Sequence, residues 1–293
     1  MDELRVRVSV RELEREYAAG NKKPLEDLLR AWKGIKELPP DDPNSFFVLG
    51  GFHGEPFDYR DTEELYWGGY CNHGNVLFPT WHRVYVYKLE NALRTIVPTV
   101  TLPFWDQTNE DSLELGVPSI LTDETVTLDG ETIANPLRSF VLPEAMSDDV
   151  NQPEAGNVTN LYAKPAGYET ERYPRSGLVG TPEARGASEA HNQNYADHAR
   201  NTELLNENVT AWLRGYNPTD KNPNPSGDGI FAMYRNCLTA PNYTVFSNTT
   251  SASAWSKEHN VVQKALEDPH NDIHLSIGGL DKLHLPGFIK GEQ

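Results

Sequence analysis

Nine histidines occur in this 293-residue chain, and the placement of five of them carries chemical information. His270 and His274 stand four residues apart in Pro269-His270-Asn271-Asp272-Ile273-His274. That step puts both rings on one face of a helix, where two imidazoles can share a metal ion. Two surface histidines a turn apart is the plainer alternative. A second group consists of His53 in Gly50-Gly51-Phe52-His53-Gly54, His73 in Cys71-Asn72-His73, and His82 in Leu77-Phe78-Pro79-Thr80-Trp81-His82-Arg83. A histidine at the start of an apolar helix, beside Trp81 and Tyr85, is costly to bury unpaired. Metal ligation removes that cost, because the neutral ring gives its lone pair to the ion. Imidazole-only ligand sets suit copper, zinc or iron. The absence of nearby carboxylate pairs argues against magnesium or a di-iron carboxylate site.

The elements that would position these rings are mostly helical. Residues 10–19 and 24–37 show helical periodicity; in the second, Leu25, Leu28, Leu29, Trp32 and Ile35 recur at three- and four-residue steps. Pro24 suits a first helical turn, and Pro39-Pro40 stops the pattern. A short apolar stretch, Phe46 to Phe52, follows. From Pro79 to about Ile96 the spacing predicts a long helix, apolar on more than one side (Val84, Tyr85, Val86, Leu89, Leu93) and hence expected at the core. Residues 98–182 are broken by Pro, Gly, Asp and Thr and predict loop with short strands, including a turn at Asp129-Gly130. Helix is expected again over 183–215, ending at Gly215, and from about Ser253 to Leu266; the run NPTDKNPNPSGDG between them predicts a loop. The sum is a mainly α single domain with long loops and a few short strands.

Composition narrows the partners. With 26 basic and 43 acidic residues the net charge is −17, which repels nucleic-acid phosphates and anionic lipid headgroups. No apolar run approaches the ~20 residues of a membrane span, and the charged N-terminus does not read as a signal peptide. Two cysteines, Cys71 and Cys237, cannot form a disulfide scaffold, although one disulfide between them stays open. Four Asn-x-Ser/Thr sequons, at Asn157, Asn208, Asn242 and Asn248, tilt the reading toward an extracellular, glycosylated protein.

The runs GGFHG, GYCNHGNVLFPTWHRVYVYKLENAL and PHNDIHLSIGG, in that order, resemble the type 3 copper proteins: tyrosinases, catechol oxidases and haemocyanins. The likeness is closest to the short polyphenol oxidases of ascomycete fungi, and its matching blocks span roughly residues 46–108 and 255–280. The resemblance implies a four-helix bundle housing a dinuclear copper centre, with dioxygen as co-substrate and a small phenol as substrate. It assigns His53, His73 and His82 to the first copper and His270 and His274 to the second. It implies a thioether from Cys71 to His73, which would lock the imidazole and leave Cys237 unpaired. It also implies that Glu267 and Asn271 hold a water that deprotonates a monophenol; Leu266-Glu267-Asp268-Pro269 otherwise reads as an acidic helix end.

One part of the family pattern is missing. The second copper needs a third histidine, normally in a helix with Asp-Pro-x-Phe-x-x-His-His, and no such motif occurs before Gln293. His191, His198, His259 and His284 have solvated or loop-like surroundings and read as ordinary histidines. The expectation is that the third ligand comes from a C-terminal piece of the same precursor, bound as a separate chain. The implied activity is oxidation of o-diphenols, with o-hydroxylation of monophenols, to o-quinones. The competing readings are a haemocyanin-type oxygen carrier, a zinc hydrolase, and a binding module with an incomplete second site.

Overall fold

The computed structural model describes residues 4–54, 71–146, 164–177, 182–215 and 229–279. Helix α1, Val10–Ala18, begins at Ser9, whose side chain accepts the Glu12 N–H. Helix α2, Lys23–Glu37, opens with Pro24 in its first turn and buries Leu25, Leu28, Leu29 and Ile35. Their spacing is the apolar stripe anticipated from the sequence. Helix α3, Phe46–Gly54, turns the apolar Phe46–Phe52 stretch into helix and carries His53. Helix α4, Phe78–Ile96, carries His82 in its first turns.

Helix α4 corrects one expectation. Phe78, Glu90, Ala92 and Leu93 are buried, but Val84 and Tyr87 are exposed. The helix lies at the edge of the core, and its apolar character on several faces reflects β-branched and aromatic residues left on the outside.

After α4 come helix α5, Glu110–Leu115, and the hairpin of β1, Thr125–Leu128, with β2, Glu131–Ala134. The strands pair antiparallel, Val126 opposite Ile133, around Asp129 and Gly130, both at positive φ (54° and 84°). Two consecutive left-handed residues define the tight hairpin turn for which an Asp-Gly pair is suited.

The 183–215 pattern divides into α6, Pro182–Gln193, and α7, His198–Arg214. Asp197 breaks it by capping α7, accepting the Arg200 N–H, and Gly215 closes α7 in the left-handed region. His191 and His198 therefore sit on different helices rather than on one face. Helix α8, Ile230–Cys237, and α9, Tyr243–Ser247, were not legible as periodic segments. Helix α10, Thr249–His259, starts earlier and ends earlier than the expected 253–266. Asn248 caps its N-terminus and Asn260, at φ 52°, ends it. Helix α11, Glu267–Gly278, carries both His270 and His274.

Two cores back the site. One joins α1, α2, Leu49 of α3 and Ala92 and Leu93 of α4 to Val126 and Leu128 of the hairpin. The other packs Leu205, Val209, Trp212 and Leu213 of α7 against Ile230, with Ile273, Leu275 and Ile277 of α11 on its edge. Thus α2 supports α4, and α7 with α8 supports α11. The pair α2/α4 and the pair α7/α11 meet at the histidines, where Phe78 of α4 stands 4.9 Å from the His270 ring. Among the described residues no helix is long and apolar enough to cross a membrane.

Candidate metal centre

Each imidazole arrives on an element whose local structure sets its direction. His82 follows the proline-started first turn of α4, and its Nδ1 lies 2.7 Å from the Phe78 carbonyl four residues earlier. A carbonyl only accepts, so Nδ1 carries the proton and Nε2 keeps the lone pair. His270 repeats the device: its Nδ1 lies 3.0 Å from Asn271 Oδ1.

The five expected rings converge. One ring nitrogen each from His53, His73, His82 and His270 lies within 4.8 Å of the other three. His274 joins through His270, with Nε2 atoms 3.1 Å apart. The His82 and His270 ring centres are 5.0 Å apart and those of His73 and His270 are 5.3 Å apart, so the two sequence-distant groups form one cluster. His73 and His274 are exposed while His53, His82 and His270 are half-buried, so solvent reaches the cluster from one side.

Burial and neighbouring imidazoles hold His53, His82, His270 and His274 toward the neutral form. Burial, with His274, His82 and His73 nearby, pushes His53 down to about 4. Burial also pushes His270 down to about 3, against the opposing effect of its Asn271 bond. His82 is lowered as well, chiefly by burial. At neutral pH the cluster offers inward lone pairs that resist protonation. In the metal-free cluster the His274 Nε2–H can donate to the His270 Nε2 lone pair at 3.1 Å, and an all-imidazole donor set of this kind fits a late first-row metal ion.

Cys71 lies among the first three rings. Its Sγ is 3.4 Å from Nε2 of His53 and of His73 and 3.3 Å from that of His82. The thiol is free, as is that of Cys237, so the two cysteines do not form the disulfide left open by the sequence. Burial, with the Glu267 charge adding, pushes the Cys71 thiol up to about 12. Cys237 is buried and donates to the Tyr234 carbonyl.

Glu267 has a role that sequence reasoning missed. It is 2% exposed. Its Oε1 accepts the Gly74 N–H at 2.9 Å, and its Oε2 accepts the Thr249 N–H at 2.9 Å and the Thr249 hydroxyl at 3.1 Å. Gly74 directly follows His73 and sits at φ +65° with the Thr250 hydroxyl close by, a conformation that favours glycine. The carboxylate therefore fastens the His73 loop to the helix that bears His270 and His274. The sequence offers Glu267 as an acidic helix start and, through the resemblance, as a holder of water with Asn271, but nothing in it marks the tie to Gly74 and Thr249.

The remaining histidines serve locally. His191 Nε2 contacts the Pro174 carbonyl at 2.6 Å, His198 Nε2 contacts the Thr122 carbonyl at 3.1 Å, and His259 stacks on Trp255. His284 lies outside the described residues, as does the sequon at Asn157. Asn208 and Asn248 are fully buried and engaged by their side chains, which removes them as glycan acceptors; Asn242 is exposed.

Comparison with known proteins gives a consistent result. The profile described as "Tyrosinase: Common central domain of tyrosinase" matches residues 43–287. The chain is 58% identical to "Tyrosinase HcTyr2" of Hahella sp. (strain CCB-MM4), over 97% of this chain and 53% of that protein. It is 40% identical to a tyrosinase of Aspergillus oryzae, over 92% of this chain and 51% of that protein. A solved tyrosinase from Burkholderia thailandensis at low pH superposes with a TM-score of 0.86 at 59% identity, covering 95% of this chain and 53% of that one. The likeness thus extends beyond the ascomycete proteins, being stronger to the Hahella and Burkholderia sequences. The chain spans about half the length of these relatives.

Proposed function

The chain belongs to the family of the tyrosinase common central domain, and from that premise we propose that it holds two copper ions and uses dioxygen to oxidise o-diphenols to o-quinones, with o-hydroxylation of monophenols as a second activity. The observation that carries this reading is the convergence of five imidazoles through their Nε2 atoms. His53, His73 and His82 would hold one copper; His270 and His274 would hold the other. When bound, the copper pair supplies the redox capacity and dioxygen chemistry that no side chain has.

The protein's own groups do the rest. The Phe78 carbonyl and Asn271 Oδ1 fix the tautomers of His82 and His270, keeping Nε2 free for metal. Trp81 and Tyr85 stack on one another beside His53 and close that flank with aromatic surface. The exposed edges of His73 and His274 leave the approach for a small phenol. For a monophenol, a water on the remaining Glu267 lone pairs, steered by the Asn271 amide, would take the hydroxyl proton.

Two finer readings belong to the same proposal. Cys71 would become joined to His73, losing one hydrogen from sulfur and one from the ring, with copper and dioxygen as the oxidant. The sixth imidazole would come from a C-terminal piece of the same precursor; the roughly doubled length of the relatives leaves room for it. The carrier reading is not favoured, because the relatives matched over nearly the whole chain are tyrosinases.

The test is copper loading followed by catechol and tyrosine assays. Quinone formation from catechol that depends on added copper and consumes dioxygen supports the proposal. Two bound coppers with reversible dioxygen uptake and no quinone would favour the carrier instead. Native mass spectrometry checks the partner: a second histidine-bearing polypeptide supports it, and a fully loaded 293-residue species alone contradicts it.

A further inference from the structure

The sulfur of Cys71 stands at nearly one distance from three imidazoles. Its Sγ lies 3.4 Å from Nε2 of His53, 3.4 Å from Nε2 of His73 and 3.3 Å from Nε2 of His82. One thiol hydrogen can serve one of these nitrogens, whereas a shared cation serves all three. Around a tetrahedral zinc ion, with Zn–S about 2.3 Å and Zn–N about 2.0–2.1 Å, sulfur and nitrogen ligands stand about 3.5 Å apart. The three observed separations match that edge. A ring nitrogen of each histidine lies within 4.8 Å of those of the other two, so the rings close in on an ion as it binds.

The fourth position belongs to Cys71 rather than to His270. A ring nitrogen of His270 also comes within 4.8 Å of the three, but its Nε2 faces Nε2 of His274 at 3.1 Å, on α11. Cys71 and His73 share the short segment before α4, and the Glu267 carboxylate fixes that segment through the Gly74 N–H at 2.9 Å. His53 comes from the end of α3 and His82 from the first turns of α4. Four donors thus arrive on three separately anchored pieces of chain. A thiolate with neutral imidazoles suits a borderline-soft ion, and zinc accepts such a set without a geometric preference of its own. Its binding breaks the Cys71 S–H bond, forms a Zn–S bond and passes the proton to solvent.

We propose that, before any Cys71–His73 thioether forms, Cys71 Sγ and Nε2 of His53, His73 and His82 hold one zinc ion in a closed tetrahedral site. The consequence is regulatory, and it rests on the proposed function, in which the same three imidazoles hold the first copper. A four-coordinate zinc leaves no open position for dioxygen or a phenol. It also occupies the sulfur that the thioether needs, and, having no redox chemistry, it takes up none of the electrons that the crosslink releases to copper and dioxygen. Zinc therefore holds the chain in an uncrosslinked, inactive form. Once bonded to the His73 ring the sulfur is no longer a thiolate, and the closed site opens.

The experiment titrates the metal-free chain, its thiols reduced, with cobalt(II) as a spectroscopic stand-in and with zinc against a chromophoric chelator. The expected result is one tightly held ion per chain, intense visible bands of tetrahedral cobalt and a near-ultraviolet thiolate-to-cobalt band. Cys71→Ser removes the near-ultraviolet band and weakens zinc binding at least tenfold, while Cys237→Ser changes neither. Since a misfolded variant would lose both signals for another reason, the wild type is also alkylated with iodoacetamide with and without zinc. Peptide mass spectrometry should find Cys71 protected by the metal. Zinc-loaded chain given copper and dioxygen should form the thioether, read as the loss of two hydrogens, at least tenfold more slowly than metal-free chain. Tetrahedral cobalt without the near-ultraviolet band, or alkylation of Cys71 unaffected by zinc, overturns the site. Equal crosslinking with and without zinc overturns its regulatory role. None of these readouts involves catechol: sulfur-bound cobalt in a chain that oxidises no catechol keeps the zinc site and removes the proposed function, and the reverse pair of results removes the zinc site alone.

Discussion

Tautomer control is the residue-scale device that makes the cluster a ligand set. Phe78 O and Asn271 Oδ1 each occupy a ring Nδ1, leaving His82 and His270 no choice about which nitrogen faces inward. We predict that His82→Ala lowers bound copper from two ions to one, read by metal analysis of the loaded protein; two retained coppers would remove His82 from the site. A pH prediction follows from the depressed rings. In the unfolded chain the imidazoles titrate near 6.5, whereas His53 and His270 in the folded metal-free protein do so near 4 and 3. Between those values the unfolded state binds more protons, so stability is fully present above pH 6.5 and falls as pH drops toward 4. Melts of the metal-free protein across that window should show the decline, and a flat profile would contradict it. The five histidines stood out in the sequence, His270 and His274 by their four-residue step and His53, His73 and His82 through the family resemblance. The shared Nδ1 device did not, since one partner is a backbone carbonyl and the other gains meaning only when its neighbour is a ligand.

At the scale of elements, Glu267 links two parts of the chain that lie 193 residues apart in sequence. Replacing it with alanine strands the N–H groups of Gly74 and Thr249. That should cost about 3–5 kcal/mol, since each buried donor left unsatisfied costs about 1–3 kcal/mol. Glu267→Gln keeps one acceptor and should lose about half as much, while still weakening copper binding roughly 10–100-fold, as loss of an orienting partner does. Urea unfolding together with copper titration separates the two effects; unchanged affinity in both variants would reduce Glu267 to an ordinary helix-start residue. Helices α1, α2 and α4 were legible because apolar spacing and prolines mark them; α11, Glu267–Gly278, falls where the sequence reads as a Gly/Pro-rich tail, and only the four-residue step of His270 and His274 hinted at it. Helices α8 and α9 are only eight and five residues long, too short to establish a period. The division between α6 and α7 rested on a single cap, Asp197, competing with a continuous polar helical pattern.

For the whole molecule, the two cores must be held in register if rings from α3, α4 and α11 are to meet. On the α4 side, the N-terminal segment straps the helix. Glu90 is 2% exposed and takes ion pairs from Arg5 at 3.1 Å and Arg7 at 2.7 Å as well as the Leu102 N–H. Burial alone would raise its pKa, but the Arg7, Leu102 and Arg5 hydrogen bonds outweigh that and hold it below the usual carboxylate range. Glu90→Ala should destabilise the fold by about 2–3 kcal/mol, less than the roughly 3–5 kcal/mol of a fully buried pair because both arginines stay partly exposed. An unfolding midpoint equal to that of the wild type would show that the strap contributes nothing. Helical class and loop content were apparent from the sequence, but this strap was not, because partners more than 80 residues apart leave no periodic trace. The most direct test of the central claim is anomalous diffraction at the copper edge from crystals of the copper-loaded protein. The account predicts one peak within bonding distance of Nε2 of His53, His73 and His82, and a second within bonding distance of Nε2 of His270 and His274. Copper bound elsewhere, or any of these five rings turned away from both peaks, would contradict it.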